Sequence, residues 1–359
     1  MKLALVCFDF NKSSIGGASS FNTFLPDLFA SLGEIRFIFA SENGNQPDFN
    51  KRVYDAKDLR FTDYIKFSQL SDFLNTFDWA YFITPGFMSA ENKKFAKLFQ
   101  QKYQKNVYTD YILKGLKTPF ITGILGEEYW FNESIFDFCN HNTYQGLFLH
   151  HRDILKTKPN DLNIKKYVEI GQIVNPRWFV SQELKPLKQN ILVCHSRWNS
   201  VKRVGLLMEY TPDINKLGLD VHFYGCHGNG GYKSDLIKRY PQNTGRHYHP
   251  VFSSKDTENF LRPALFHYNI KFRPDINAPY MELATIEAAR LGCICIVHEQ
   301  HTPHWFTECV KLRSLEKSYV LNSIQLALNN PPNVLQAWQS ISNNISPKIV
   351  LNKICQLFS

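Results

Sequence analysis

Nowhere does the chain run through the roughly 18 uninterrupted apolar residues that a helix needs to cross a bilayer, which excludes a helical membrane-spanning protein. No C-x-x-C pair occurs among its eight cysteines. Cys7, Cys194, Cys293 and Cys295 stand inside apolar, strand-like runs, so buried reduced thiols are expected rather than disulfides or a zinc site. An Asp-x-Asp ligand motif is missing, and so is the full G-x-G-x-x-G dinucleotide fingerprint. Internal repeats and low-complexity tracts are lacking as well. The opening Met1-Lys2-Leu3-Ala4-Leu5-Val6-Cys7 is too short, and too soon followed by Asp9, to be a secretory leader; it reads as the first buried strand of a cytoplasmic protein.

What is present points to a folded chain with an anionic partner. Hydrophobic residues at 44% and aromatics at 14% rule out disorder, and 359 residues give room for two domains of ordinary size. The formal net charge is +9. The cations are spread: Lys93, Lys94, Lys97, Lys102 and Lys105 at helical spacing, Lys156, Lys158, Lys165 and Lys166 more loosely, then Lys233, Lys238, Arg239 and Arg246. Each group alone reads as a solvated face. Their sum favours a polyanion, either a nucleic-acid backbone or an anionic lipid surface.

Short apolar strands alternate with helical segments, the pattern of parallel sheets covered by helices. In the first half, strands are expected at Leu3 to Phe8, Ile35 to Ala40, Trp79 to Ile83, Phe120 to Ile124 and Gly146 to Leu149. Residues 11–20 form a loop that turns into a helix through Leu32. Periodicity lapses from Asn175 to Pro186, which places a linker there and bounds a first domain at 1–177 and a second at 187–332. The second half is expected to run strand 190–194, helix 203–211, strand 219–224, helix 232–240, a loop from His247 to Ser253, helix 256–266, strand 269–272, helix 283–291 and strand 293–297. One or two helices follow within 333–359.

Two segments of the second half carry the chemistry. Ser196-Arg197-Trp198-Asn199-Ser200-Val201-Lys202 follows the apolar run Asn190 to Cys194, and fixed cations at a strand's C-terminal end suit a diphosphate. Arg203 competes with Lys202 for the inner position; Lys202 is the choice. About 85 residues later, Met281-Glu282-Leu283-Ala284-Thr285-Ile286-Glu287 sets one acid before a helix and one inside it, followed by Gly292 and another apolar strand. Such acids grip sugar and ribose hydroxyls. Glu287 also reads as a helix-surface acid, but its neighbours Ile286, Ala288, Ala289 and Leu291 argue against an exposed face. Gly16 and Gly17 open the first helix, where free N–H groups accommodate an anion or merely make a tight turn.

These residues resemble a family. The Arg197…Lys202 pair with the Glu-bearing helix start is similar to the C-terminal domain of retaining GT-B glycosyltransferases, a likeness whose layout covers nearly the whole chain. The usual spacing of two glutamates in that family would place Pro279 where the first acid belongs. Met281-Glu282 with Glu287 and Gly292 is instead similar to the DNA α-glucosyltransferases of T-even phages. The resemblance implies an α/β fold of GT-B type, with two Rossmann-like domains facing a central cleft and a helical tail, 333–359, crossing back onto the first. It implies a UDP-sugar donor and no required cofactor or metal. Gly16, Gly17, Arg197 and Lys202 would bind the diphosphate, Glu282 and Met281 would lie at the transferred sugar, and Glu287 would bind the ribose. Glu127 or Glu128 would act on the acceptor hydroxyl where relatives place a histidine, although a pair of surface acids is as natural there. Tyr129 and Trp130 are suited to stack on a base or a sugar and equally to fill a core edge.

The implied acceptor is 5-hydroxymethylcytosine in double-stranded phage DNA, flipped into the cleft, with transfer through an oxocarbenium-like state and retention. A bacterial retaining enzyme extending a lipid-linked or surface glycan, with peripheral membrane contact, is the alternative. A nucleic-acid-binding protein on a GT-B scaffold is the third reading.

Overall fold

The computed structural model describes residues 1–7, 24–41, 43–45, 61–83, 113–124, 138–157, 164–180, 188–226, 231–250, 252, 256–272 and 279–358. They build two parallel sheets. The first joins β1 (Lys2–Cys7), β2 (Glu34–Ser41), β3 (Asp63–Lys66), β4 (Trp79–Ile83), β5 (Phe120–Ile124), β6 (Tyr144–Leu149) and β7 (Tyr167–Glu169) in the order β3-β2-β1-β4-β5-β6-β7. The second joins β8 (Gln189–Arg197), β9 (Asp220–Cys226), β10 (Arg246–His249), β11 (Ala264–Tyr268), β12 (Ile294–His298) and β13 (Val310–Leu312) in the order β10-β9-β8-β11-β12-β13. Each order runs outward from one strand and then returns to that strand's other side. The result is a topological switch point between β1 and β4 and another between β8 and β11, where open α/β sheets bind their ligands.

Among the described residues 24–29 are helical, and the further helices are α1 (Phe67–Leu74), α2 (Val204–Lys216), α3 (Tyr232–Arg239), α4 (Thr257–Leu261), α5 (Leu283–Arg290), α6 (Lys317–Asn329), α7 (Val334–Ile345) and α8 (Pro347–Cys355). The strands are apolar on both faces because helices cover both. In the second sheet Leu192, Cys194, Val221 and Phe223 pack on one side with Val204, Leu207 and Met208 of α2 and Val320 and Ile324 of α6. Val193, Cys293 and Cys295 face the other side, with Phe260 and Leu261 of α4 and Ile286 and Ala289 of α5. Cys7, Cys139, Cys194, Cys293 and Cys295 are buried free thiols. No described helix is long and apolar enough to cross a membrane.

The end of the chain touches both sheets. α7 packs on α5 and α8 on β7, the Phe358 ring meets Trp79 at 5.0 Å, and the Lys166 ammonium donates to the Gln356 carbonyl. Gln172 Nε2 donates to the Met281 carbonyl at 2.7 Å, tying the segment after β7 to the segment before α5.

Several elements depart from the sequence expectation. The expected helix 256–266 ends at Leu261, because Pro263 cannot continue it. The Pro263 carbonyl instead accepts from the Gln189 amide at 2.7 Å and opens the β8–β11 pairing. The strand therefore lies at Ala264–Tyr268 rather than 269–272. Residues 246–249, expected to begin a loop, form edge strand β10. α2 runs past Pro212 to Lys216. The Met208 carbonyl, which Pro212 cannot bond, accepts from Arg246 Nη2 at 2.7 Å. Arg246 is thus a buried structural cation and not part of a solvated basic face. Strands β3, β7 and β13 and helices α1 and α6 are additions to the expected elements.

Candidate functional site

β8 carries the chain to the second switch point and delivers the loop 198–203. Trp198, fully buried, anchors the loop. A Cβ on Gly225 would lie 1.8 Å from its indole nitrogen, so only glycine lets the ring sit there. The Lys233 ammonium lies 4.8 Å from the ring centroid. The Asn199 side chain accepts from the Lys202 amide at 2.9 Å, an Asx-type turn. Arg203 adopts the left-handed conformation, φ 50°, that opens α2. A non-glycine residue held there is backbone strain beside the candidate site.

β11 carries Asn269 and Lys271 to the same place, and Glu282, with extended backbone, caps α5 from across the gap. The Lys202 ammonium donates to Glu282 Oε2, an ion pair joining the two segments. Asn269 Nδ2 donates to Thr285 Oγ1 at 2.8 Å and stands 3.4 Å from Glu282 Oε2. Burial pushes the Glu282 carboxyl upward, but the Lys202 and Lys271 charges outweigh it and hold the group at about 2. Glu282 therefore stays ionised at neutral pH.

Lys271 was not anticipated. It is buried, and its ammonium donates to the Tyr280 hydroxyl at 2.8 Å. The Tyr280 ring packs against His150 at 4.6 Å, at the end of β6. Burial, with Lys271 nearby, lowers the His150 imidazole to about 3, so it is a neutral group at the seam between the sheets. The available signal for Lys271 is its position as the one charge in Tyr268-Asn269-Ile270-Lys271-Phe272. His151, the other histidine after β6, sits beside Asp153 at 3.7 Å and Glu169 at 4.0 Å.

Glu287, inside α5, presents Oε2 3.4 Å from His195 Nε2 on β8. Beyond His195 a cavity of about 480 Å³ is lined by Tyr224, His249, Phe252 and Phe260 among others. Its floor is a stack, with the Tyr224 ring 4.0 Å from His249 and 3.8 Å from Phe260. The site thus joins two lysines, two carboxylates and an aromatic cavity around one switch point, a combination able to take an anion, vicinal hydroxyls and a planar ring together.

Of the residues singled out in the sequence, Lys202, Met281, Glu282 and Glu287 converge here. Arg197 closes β8, and its side chain lies outside the described residues, as do Gly16, Gly17, Glu127, Glu128, Tyr129 and Trp130. Among the described residues no group of three or more His, Cys, Asp or Glu could hold a metal ion.

Two parallel sheets of this strand order, with the switch point of the second facing the first, define the GT-B fold, and the protein has it. No family model matches the sequence, and no curated protein matches it. Solved structures match over its full length. An alpha-glucosyltransferase in complex with UDP-glucose and DNA containing an abasic site is 10% identical with a TM-score of 0.73, covering 100% of both chains. The Anabaena protein HepE in complex with UDP and glucose is 10% identical, TM-score 0.68, covering 100% of this chain and 99% of that one. AviGT4, a glycosyltransferase involved in avilamycin A biosynthesis, is 11% identical, TM-score 0.60, covering 99% and 96%. At such identities the likeness is one of fold.

Proposed function

We propose that the protein is a glycosyltransferase that moves a sugar from a UDP-sugar to the hydroxymethyl group of a modified pyrimidine, 5-hydroxymethylcytosine, in double-stranded DNA, with retention. The observation that carries this reading is the Lys202–Glu282 pair at the switch point, with Glu287 one and a half turns farther into α5. Lys202 and Arg197, together with Gly16 and Gly17, hold the donor diphosphate, and the two cations neutralise it as it leaves. Glu282 and Met281 lie at the transferred sugar. Glu287 accepts from the ribose hydroxyls, and the uracil enters the cavity beside Tyr224 and His249. Glu127 or Glu128 orients the acceptor hydroxyl. Lysine and arginine supply the positive charge that neutralises the departing phosphates, so the scheme needs no metal. The division into an acceptor domain (1–177), a donor domain (187–332) and a tail (333–359), and a cytoplasmic location, belong to the same reading.

Incubating the protein with a panel of UDP-sugars and duplex DNA containing cytosine or 5-hydroxymethylcytosine, then weighing the digested nucleosides, tests it. A sugar-sized mass gain on the modified base alone is expected. Donor hydrolysis or binding with no gain on DNA would overturn the DNA acceptor. That result would leave the second reading, a glycan-extending enzyme, which is favoured by structural similarity to HepE with UDP and glucose and to AviGT4.

A further inference from the structure

His195 and His267 lie on adjacent strands that flank the second switch point. His267 pairs in register with Val193, so His195 stands two residues farther along the same face of the sheet. His195 is 5% exposed and His267 is fully buried. Their rings are 4.7 Å apart, and none of the four ring nitrogens makes a hydrogen bond among the described residues. Buried polar groups are nearly always satisfied, and a pair left unsatisfied at a ligand-binding position needs an explanation.

The surroundings of His195 supply one. Its Nε2 stands 3.4 Å from Glu287 Oε2, long for a hydrogen bond and of the kind that tightens when a ligand closes the site. The His195 ring also meets Phe252 at 5.9 Å and Phe260 at 5.6 Å, two rings that line the cavity. His195 therefore bridges the carboxylate and the aromatic cavity, where a nucleoside would have its sugar and its base.

We propose that His195 is a positioning residue for the donor nucleoside: its Nε2–H donates to Glu287 Oε2 and turns the carboxylate so that its remaining lone pairs accept from the vicinal 2′,3′-diol of a ribonucleoside diphosphate. The inference rests on the reading of the 202–287 site as the donor site. It assigns the preference for ribo- over deoxyribonucleotides to a residue outside the glutamate-bearing helix. One imidazole N–H occupies one lone-pair position of a carboxylate and leaves the others for the diol. His267 sits behind this ring and is itself kept neutral by burial and by the neighbouring His195 and Lys202, so it adds no competing cation.

Calorimetric titration of the full-length protein with UDP, 2′-deoxy-UDP and inorganic pyrophosphate separates the possibilities. The unaltered protein is expected to prefer UDP over 2′-deoxy-UDP by about tenfold or more, about what one well-placed hydrogen bond to a charged group contributes. His195→Ala should lose most of that ratio while pyrophosphate binds as before. His195→Gln, which keeps a side-chain N–H donor and nearly the same volume, should restore part of it. If His195→Ala and His195→Gln both keep the ratio, or if pyrophosphate weakens as much as UDP, the inference fails while the donor reading stands. If the unaltered protein binds no UDP, the donor reading fails and takes the inference with it.

Discussion

A carboxylate that holds Lys202 is the central fact at the scale of single residues. Lys202 donates to Glu282, so in the proposed donor site a diphosphate competes with that carboxylate for the ammonium. Glu282→Gln removes the competing anion; UDP is expected to bind several-fold more tightly while transfer falls about tenfold or more, a loss of roughly 1.4 kcal/mol or more in transition-state stabilisation. Titration calorimetry and product mass measure the two effects. Lys271→Met is expected to weaken UDP binding, because it removes the second cation beside Glu282. An affinity equal to that of the unaltered protein would exclude Lys271 from the donor site. His150 makes a prediction about acid. Its folded value is depressed to about 3 from an ordinary 6.5, so the unfolded chain takes up a proton that the fold refuses. Its contribution to stability is full above about pH 6.5 and erodes toward pH 3 at about 1.4 kcal/mol per pH unit. Urea midpoints at pH 7 and pH 5 should differ in that direction, and His150→Leu should flatten the difference if the fold survives.

Elements fail or hold in the sequence for identifiable reasons. Continuous apolar runs such as Leu3–Val6 and Ile294–Val297 are legible because a strand buried on both faces has no other composition. The helix carried through Pro263 shows the opposite case. The breaker was visible, but apolar residues on both sides of it, Phe260-Leu261 before and Ala264-Leu265-Phe266 after, suit either element. Pro212 was tolerated inside α2 only because Arg246, from a strand that begins 34 positions later, accepts the duty of the missing N–H by bonding Met208. Such long-range compensation leaves no local trace. Lys271 and the His195–Glu287 contact escaped for the same reason, since each joins a strand, or the residues just after it, to α5 or the segment before it, elements that meet only in the fold. At this scale Gly225→Ala is the informative change. The added methyl would overlap the Trp198 indole, and it should destabilise the protein by about 1–3 kcal/mol in urea denaturation. It should also weaken UDP binding, because Trp198 anchors the loop that carries Lys202.

At the scale of the whole molecule, charge and chain order matter more than any contact. With a net charge of +9, association with duplex DNA should be steeply salt dependent. If six to ten phosphates are contacted, affinity should fall by about 10³ to 10⁵ between 50 and 200 mM salt. A fluorescence-anisotropy titration across that range checks it, and a flat profile would remove the polyanion as partner. The two-sheet plan was legible from the alternation of strand and helix. The contacts that join the sheets, Gln172 to Met281 and His150 to Tyr280, were not, since lone residues at element ends carry no period. The contacts of the C-terminal helices have one more consequence. Phe358 covers Trp79, and Gln356 receives Lys166. A ribosome adding about 5–20 residues per second travels from Trp79 to Phe358 in roughly 15 to 60 s. For that interval the Trp79 end of the central strand β4 lacks its aromatic cover, so the first sheet completes its surface only after residues translated much later have emerged.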